Sequence, residues 1–272
     1  MANPIVLYKY RDWSKTTHQS LLKDYRGYFA SPRDFNDPFD CRIYPNMYLL
    51  NTHELKMTYA EAVVERLMKR VIAEGRDPYK EVERVFNRIN SDIAKFQHES
   101  DLIHREYQDK YYGVFSMSAC WDNILMWSHY SNNHKGFCVG FYEEKFREPP
   151  IFGKGGLVSY SKQVPDIIPD LNPDSQLTEE RVRTSFTETH VKAEDWSYEQ
   201  EYRLTKLFYP GEPTIEERTL TFPKDSIAEV ILGCRISEEL EEEIVDICKG
   251  RKIPVSKCMI PPFKFVLDKY NV

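Results

Sequence analysis

The chain has 272 residues and a formal net charge of −6, with 41% hydrophobic and 14% aromatic residues. That length can bury a sizeable core, and 18 Tyr and 15 Phe favour a folded, strand-rich protein over a disordered one. The acidic balance argues against a surface that binds nucleic acid over its whole extent, although a local basic groove stays open.

The N-terminal MANPIVLYKYRDW has no basic stretch followed by an apolar run, and no window approaches 18 consecutive apolar residues. Neither a signal peptide nor a membrane span is expected. Cys41, Cys120, Cys138, Cys234, Cys248 and Cys258 form no CxxC pair and read as reduced thiols of a cytoplasmic protein, without zinc-ligand spacing.

IVLYKY (5–10) alternates apolar and polar residues and reads as a strand. A polar helical stretch around His18 to Lys23 follows, then a short strand, GYFAS (27–31). FNDPFD (35–40) is a turn, since Asn and Asp beside Pro bond to nearby backbone. It is either a rigid corner or a place where Asn36 or Asp37 points into a cleft. TYAEAVVERLMKRVIAEG (58–75) has helical spacing, a capping-box pair in Thr58 and Glu61, and Gly75 as a stop. Asp77-Pro78 opens a second helix, with Val82, Val85, Phe86, Ile89, Ile93 and Phe96 on one face. Residues 46–108 are therefore expected as a two-helix insertion within a single α+β domain spanning 1–272.

Strand texture returns at YYGVFSMSA (111–119), FCVGFY (137–142) and GLVSY (156–160). A polar, Pro-containing segment (162–177) leads to a short helix near 179–190. EYRLTKLFY (201–209), RTLTFP (218–223) and AEVILGC (228–234) follow as strands, SEELEEEIVDICKG as an amphipathic helix, and PVSKCMI and FKFVLDKY as a last strand pair. Strands often follow strands without an intervening helix, so a mixed or antiparallel sheet is expected. No GxGxxG follows the first strand, and no P-loop, GxSxG or HExxH is present.

Three constellations carry chemistry. FNDPFD is the first. In the second, residues 115–141, Ser116 and Ser118 share one strand face, and Trp127, His129, Tyr130 and His134 follow. The hydroxyls could hold a ribose or phosphate. Equally, Trp127 and Tyr130 could be core, and His129 a helix cap. The third is WSYEQEYRL (196–204). On a strand, Glu199, Glu201 and Arg203 face one way, with Trp196, Tyr198, Tyr202 and Leu204 on the other. Two such carboxylates need a cation or a substrate between them. Either they form a salt bridge on a solvated face, or a core-anchored strand presents them to a site.

LYKYR, YFASPRDFNDPFD, the FS strand, MWSHYSNNHKGFCVGF and WSYEQEYRL, in this order, resemble a widespread bacterial family catalogued as a domain of unknown function. More distantly, the element order is similar to ADP-ribosyltransferase-like folds, including their DNA-modifying branch. That resemblance implies NAD as substrate, no metal, and a macromolecular acceptor, protein or nucleic acid, with room for a regulatory partner protein and no membrane. It implies a toxin or antiphage-defence effector. Glu201 would stabilise the oxocarbenium-like transition state, and Glu199 would orient or deprotonate the acceptor. Ser116 and Ser118 would shape the nicotinamide pocket, with Tyr130 stacked on the ring. Lys9 or Arg11, in a first strand that also offers Tyr8 and Tyr10, would lie near the dinucleotide phosphates. Ser-Met-Ser departs from the usual Ser-Thr-Ser. Asn36, Asp37, Trp127, His129 and Arg203 complete the candidate set. Two other readings stay open. One is a metal-dependent nuclease or hydrolase using Asp37, Asp40, His129 and Glu201. The other is a binding module that presents the helical insertion.

Overall fold

A computed structural model of the chain describes residues 5–147, 150–174 and 179–272. The first four residues of the N-terminal reading, and residues 175–177 of the polar segment, lie outside the described residues. In chain order the elements are β1 (Val6–Arg11), α1 (Thr16–Lys23), β2 (Arg26–Tyr28), α2 (His53–Arg66), α3 (Met68–Ala73), α4 (Pro78–Ser91), α5 (Ile93–Tyr111), β3 (Tyr112–Ser118), α6 (Ile124–Tyr130), β4 (Phe137–Tyr142), β5 (Lys154–Leu157), β6 (Ser159–Ser161), α7 (Glu179–His190), β7 (Val191–Ala193), β8 (Glu201–Leu207), β9 (Thr219–Thr221), β10 (Ile227–Leu232), α8 (Glu238–Arg251), β11 (Val255–Met259) and β12 (Asp268–Asn271). They form two compact units. One comprises 1–36, 110–162 and 192–272, the other 37–109 and 163–191.

The chain mixes helices and strands, as expected, and the main sheet lies in the first unit. This mixed eight-stranded sheet runs β12-β11-β10-β4-β1-β3-β8-β5. The one parallel pair in it, β10 with β11, is joined through α8, since parallel neighbours need a crossover. β1 and β4 pair over their full length, Val6 opposite Tyr142 to Arg11 opposite Phe137. One face of the sheet buries Leu7, Phe115, Met117, Phe137, Val139, Phe141, Tyr202 and Leu204, which cluster with Ile244, Val245 and Cys248 of α8. The other face carries Tyr10, Cys138 and Ile231 against Met126 and Trp127 of α6. β4 and β10 are thus apolar on both faces, and α6 is anchored by a fully buried Trp127.

The link from α6 to β4 is built by Asn132, Asn133 and His134, all with positive φ (52°, 55° and 67°). Asn tolerates this region better than most residues. Gly136 then passes so close to the backbone of Arg11 and Ser131 that a Cβ would collide with their carbonyls.

The second unit packs Met47, Leu50 and Ile89 with Leu55, Tyr59, Val85 and Phe96. Its helices depart from the sequence reading in three places. The first helix starts at His53, because Thr52 accepts a hydrogen bond from the Leu55 amide at 3.1 Å; Thr58 and Glu61 lie inside it. It breaks at Leu67, so 58–75 is two helices, the second ending before Gly75 at φ 66°. Asp77 does cap α4, but Asp92 ends it and accepts from the Lys95 amide at 2.9 Å, so Ile93 and Phe96 belong to α5. In the first unit, GLVSY is likewise two strands, β5 and β6. All six cysteines are free thiols. Among the described residues, no helix is long and apolar enough to cross a membrane.

Candidate functional site

β3 and β8 pair antiparallel, with Ser116 opposite Arg203 and Ser118 opposite Glu201. Directly opposed residues share a face. Two hydroxyls and the Glu201–Arg203 pair therefore stand on one side of the sheet.

Glu199 reaches them by another route than expected. The strand starts only at Glu201. Residues Glu194–Glu199 form a 3-10 turn, and Gln200 is left-handed at φ 43°, ψ 51°. That conformation ends the extended run, so the period-two argument holds only from Glu201 onward. Trp196 and Tyr198 consequently do not line the far face of a strand; both are half-buried in the turn, with ring centroids 6.1 Å apart. The turn is pinned from two sides. Ser118 Oγ donates to the Glu199 carbonyl at 2.6 Å, and Asn123 Nδ2 donates to the Tyr198 carbonyl at 2.8 Å.

Lys192, on β7, joins the two acids. Its Nζ donates to Glu199 Oε2 at 2.6 Å and to Glu201 Oε2 at 3.2 Å, and lies 4.8 Å from the centroid of the Trp196 ring. Arg203 grips Glu201 with two bonds, Nε to Oε1 at 2.7 Å and Nη2 to Oε2 at 2.9 Å. Tyr130 Oη donates to Glu199 Oε1 at 2.7 Å, and the Glu201 amide donates to Tyr160 Oη at 2.8 Å. Glu199, Glu201, Lys192 and Arg203 are all buried. The charges of the solvated-face alternative are therefore interior ones.

Their surroundings shift the two acids in opposite directions. Burial pushes the Glu199 carboxyl above its ordinary value, with Glu201 pushing the same way and Lys192 against. Burial also acts upward on Glu201, but Arg203, Lys192 and a hydrogen bond from Ser116 outweigh it and hold that carboxyl well below the usual range. Burial, then Glu199, raises the Tyr130 phenol far up; burial pushes Tyr160 up to about 12.

The first strand supplies side chains that are already engaged. Lys9 Nζ donates to the Ser116 carbonyl and lies 4.6 Å from the Phe115 ring centroid. Burial, then the charge of Arg11, pulls its pKa well down. Arg11 is drawn down to about 10 by burial and bonds the Tyr10 carbonyl at 3.3 Å. Tyr8 donates to Glu229 at 3.1 Å and Tyr10 to the Cys120 carbonyl at 2.8 Å. Trp127 is core, its Nε1 donating to the Trp121 carbonyl at 2.7 Å. His129 is exposed, its ring centroid 6.3 Å from that of Tyr130 and 6.4 Å from that of Tyr198. Asn36 is exposed in the first unit. Asp37, in the second, is buried and accepts from the Phe39 amide at 2.9 Å, the expected turn bond. Asp40 is buried in the same unit.

The structure thus brings together Ser116, Ser118, Tyr130, Glu199, Glu201 and Arg203, whereas Lys9, opposite Val139, projects from the other face of the sheet. Sequence reasoning missed Lys192 and Tyr160. A signal for the first existed: a lone cation between Val191 and Ala193, within reach of two acids that needed one. Among the described residues, no group of three or more His, Cys, Asp or Glu side chains could hold a metal ion.

Fold and cluster together define a mixed α/β protein with a buried acid–base cluster on one face of its sheet. Residues 126–204 match the family model described as Protein of unknown function (DUF2971), which bears out the resemblance to a family of unknown function. That segment contains Tyr130, Lys192, Glu199, Glu201 and Arg203. No curated protein and no solved structure matches the chain.

Proposed function

We propose that the chain is an ADP-ribosyltransferase-like enzyme that cleaves NAD at the nicotinamide–ribose bond and passes ADP-ribose to a protein or nucleic-acid acceptor, as a toxin or antiphage-defence effector would. The observation that carries this reading is the pair of buried acids held at one ammonium, one of them gripped in addition by Arg203. Environments that push two carboxyls apart divide them into an ionised group and a proton-exchanging one. Glu201, kept anionic, faces the positive charge that develops at the anomeric carbon as nicotinamide leaves with the bonding electrons. Glu199, the more basic, accepts the proton of the attacking hydroxyl or amine. Ser116 and Ser118 fix the two from the opposite strand. NAD carrying label in its adenylate half tests transfer. Label on macromolecule, lost in Glu201→Gln, supports transferase action. Label released as free ADP-ribose makes the enzyme a hydrolase. Label that stays in NAD for every acceptor mixture contradicts the reading.

A second reading is favoured by the closed pairing of the cluster. Four buried charges that satisfy one another can serve as a structural latch in a non-catalytic binding module. On that reading the Glu201→Gln variant loses stability, and no NAD is consumed by either form.

A further inference from the structure

We propose that Lys192 is the positioning residue of this site, the cation that ties Glu199 to Glu201 and divides their roles. The inference deepens the ADP-ribosyl reading and rests on it for its catalytic consequence. Three observations converge. Lys192 Nζ lies 2.6 Å from Glu199 and 3.2 Å from Glu201, on one oxygen of each. The two acids sit on different elements, a turn and a strand, separated by a left-handed residue, so no backbone regularity fixes their spacing. Lys192 is itself buried, with the Trp196 ring 4.8 Å from its ammonium, so its charge is little screened by water.

The two acids are not held alike. Glu201 has Arg203 as a second cation, whereas among the described residues the other side chain bonded to Glu199 is the Tyr130 hydroxyl. Lys192 is therefore the direct electrostatic tie of Glu199. Among the described residues, the charged and titratable groups that act on the pair include Tyr130 of α6, Tyr160 of β6, Arg203 of β8, Tyr198 of the turn and, from the other face of the sheet, Lys9 of β1. Among these, Lys9 is pulled toward its neutral form, and Arg203 is spent on Glu201. Lys192 thus sets how easily Glu199 releases its proton while it holds the carboxylate beside Glu201.

The test uses the full chain with 13C-labelled glutamate carboxylates, assigned through Glu199→Gln and Glu201→Gln and followed by NMR against pH. In Lys192→Met the midpoint of Glu199 should rise by about one unit or more, because an adjacent cation is lost. Lys192→Arg should restore it toward the wild-type value. If wild type turns over NAD, the pH–rate profile of Lys192→Met should shift by the same amount, with kcat down ~10-fold or more and KM little changed. Should Lys192→Met fail to fold, the Lys192→Gln variant, which keeps a polar head at the same depth, gives the same titration. An unchanged Glu199 midpoint overturns the proposal. A shifted midpoint in a chain that never cleaves NAD keeps Lys192 as the tie and discards the ADP-ribosyl reading.

Discussion

Glu201 and Arg203 form a two-point ion pair in the protein interior, with Nε to Oε1 at 2.7 Å and Nη2 to Oε2 at 2.9 Å. They lie two apart on β8, so both project from the same face of the strand. The guanidinium is fully buried, and the Phe35 ring centroid lies 5.8 Å from it. Removing one partner leaves the other charge in the interior. Breaking a buried pair in this way costs about 3–5 kcal/mol. Glu201→Gln should therefore lower stability by roughly that amount, read by urea unfolding at neutral pH, and its activity must be measured well below its melting temperature. A loss under 1 kcal/mol would mean that the pair is looser in solution.

The same pair sets a pH dependence. A carboxyl held below its unfolded value stabilises above that value, about 4.3, and the contribution is lost as pH falls through the folded value. The stability gap between wild type and Glu201→Gln should thus narrow as pH drops below about 4. Glu199 has the opposite sign. Its raised folded value means that stability declines as pH rises from about 4.3 through that value. Unfolding of Glu199→Gln across the acid range should lack this decline.

Lys9 predicts an alkaline signature. Its folded pKa lies well below the unfolded value of about 10.4, so the unfolded chain binds the extra proton between the two. Stability contributed through Lys9 should rise with pH across that window. Urea midpoints of wild type and Lys9→Met, followed from pH 7 upward, should converge or cross as Lys9 neutralises. Parallel curves would contradict the burial of its ammonium.

Two backbone positions give local tests. Gln200 carries the left-handed turn that separates the acids. Gln200→Gly should be neutral or slightly stabilising, whereas Gln200→Val should cost about 1–2 kcal/mol. Gly136→Ala forces a Cβ into the carbonyls of Arg11 and Ser131 and should cost about 1–3 kcal/mol, measured by thermal unfolding.

Much of the fold was legible. IVLYKY read as a strand by its alternation of apolar and polar residues, and FCVGFY and AEVILGC by their strand texture, and β1, β4 and β10 are those strands. The helix starts were less so. Thr58 and Glu61 have capping-box spacing, but Thr52 supplies the bond, and nothing in residue type alone ranks one threonine over another. In the site, Glu201 and Arg203 were legible from strand parity. The placement of Glu199 was not, because a single left-handed Gln200 breaks that parity, and Gln gives no sign of positive φ. Lys192 was hidden for a different reason. A charged side chain reads as surface, and the two acids that meet it in the fold make its burial tolerable. Among the first-strand residues, Lys9 or Arg11 was expected near the dinucleotide phosphates, and the commitment of Lys9 to the Ser116 carbonyl is a tertiary fact.

The measurement that bears most directly on the central claim is nicotinamide release from NAD by the purified chain, with wild type, Glu199→Gln and Glu201→Gln compared below their melting temperatures. The account predicts release by wild type, a fall of about 10²-fold or more in Glu201→Gln, and a smaller, pH-dependent loss in Glu199→Gln. Release that persists undiminished in Glu201→Gln would contradict it.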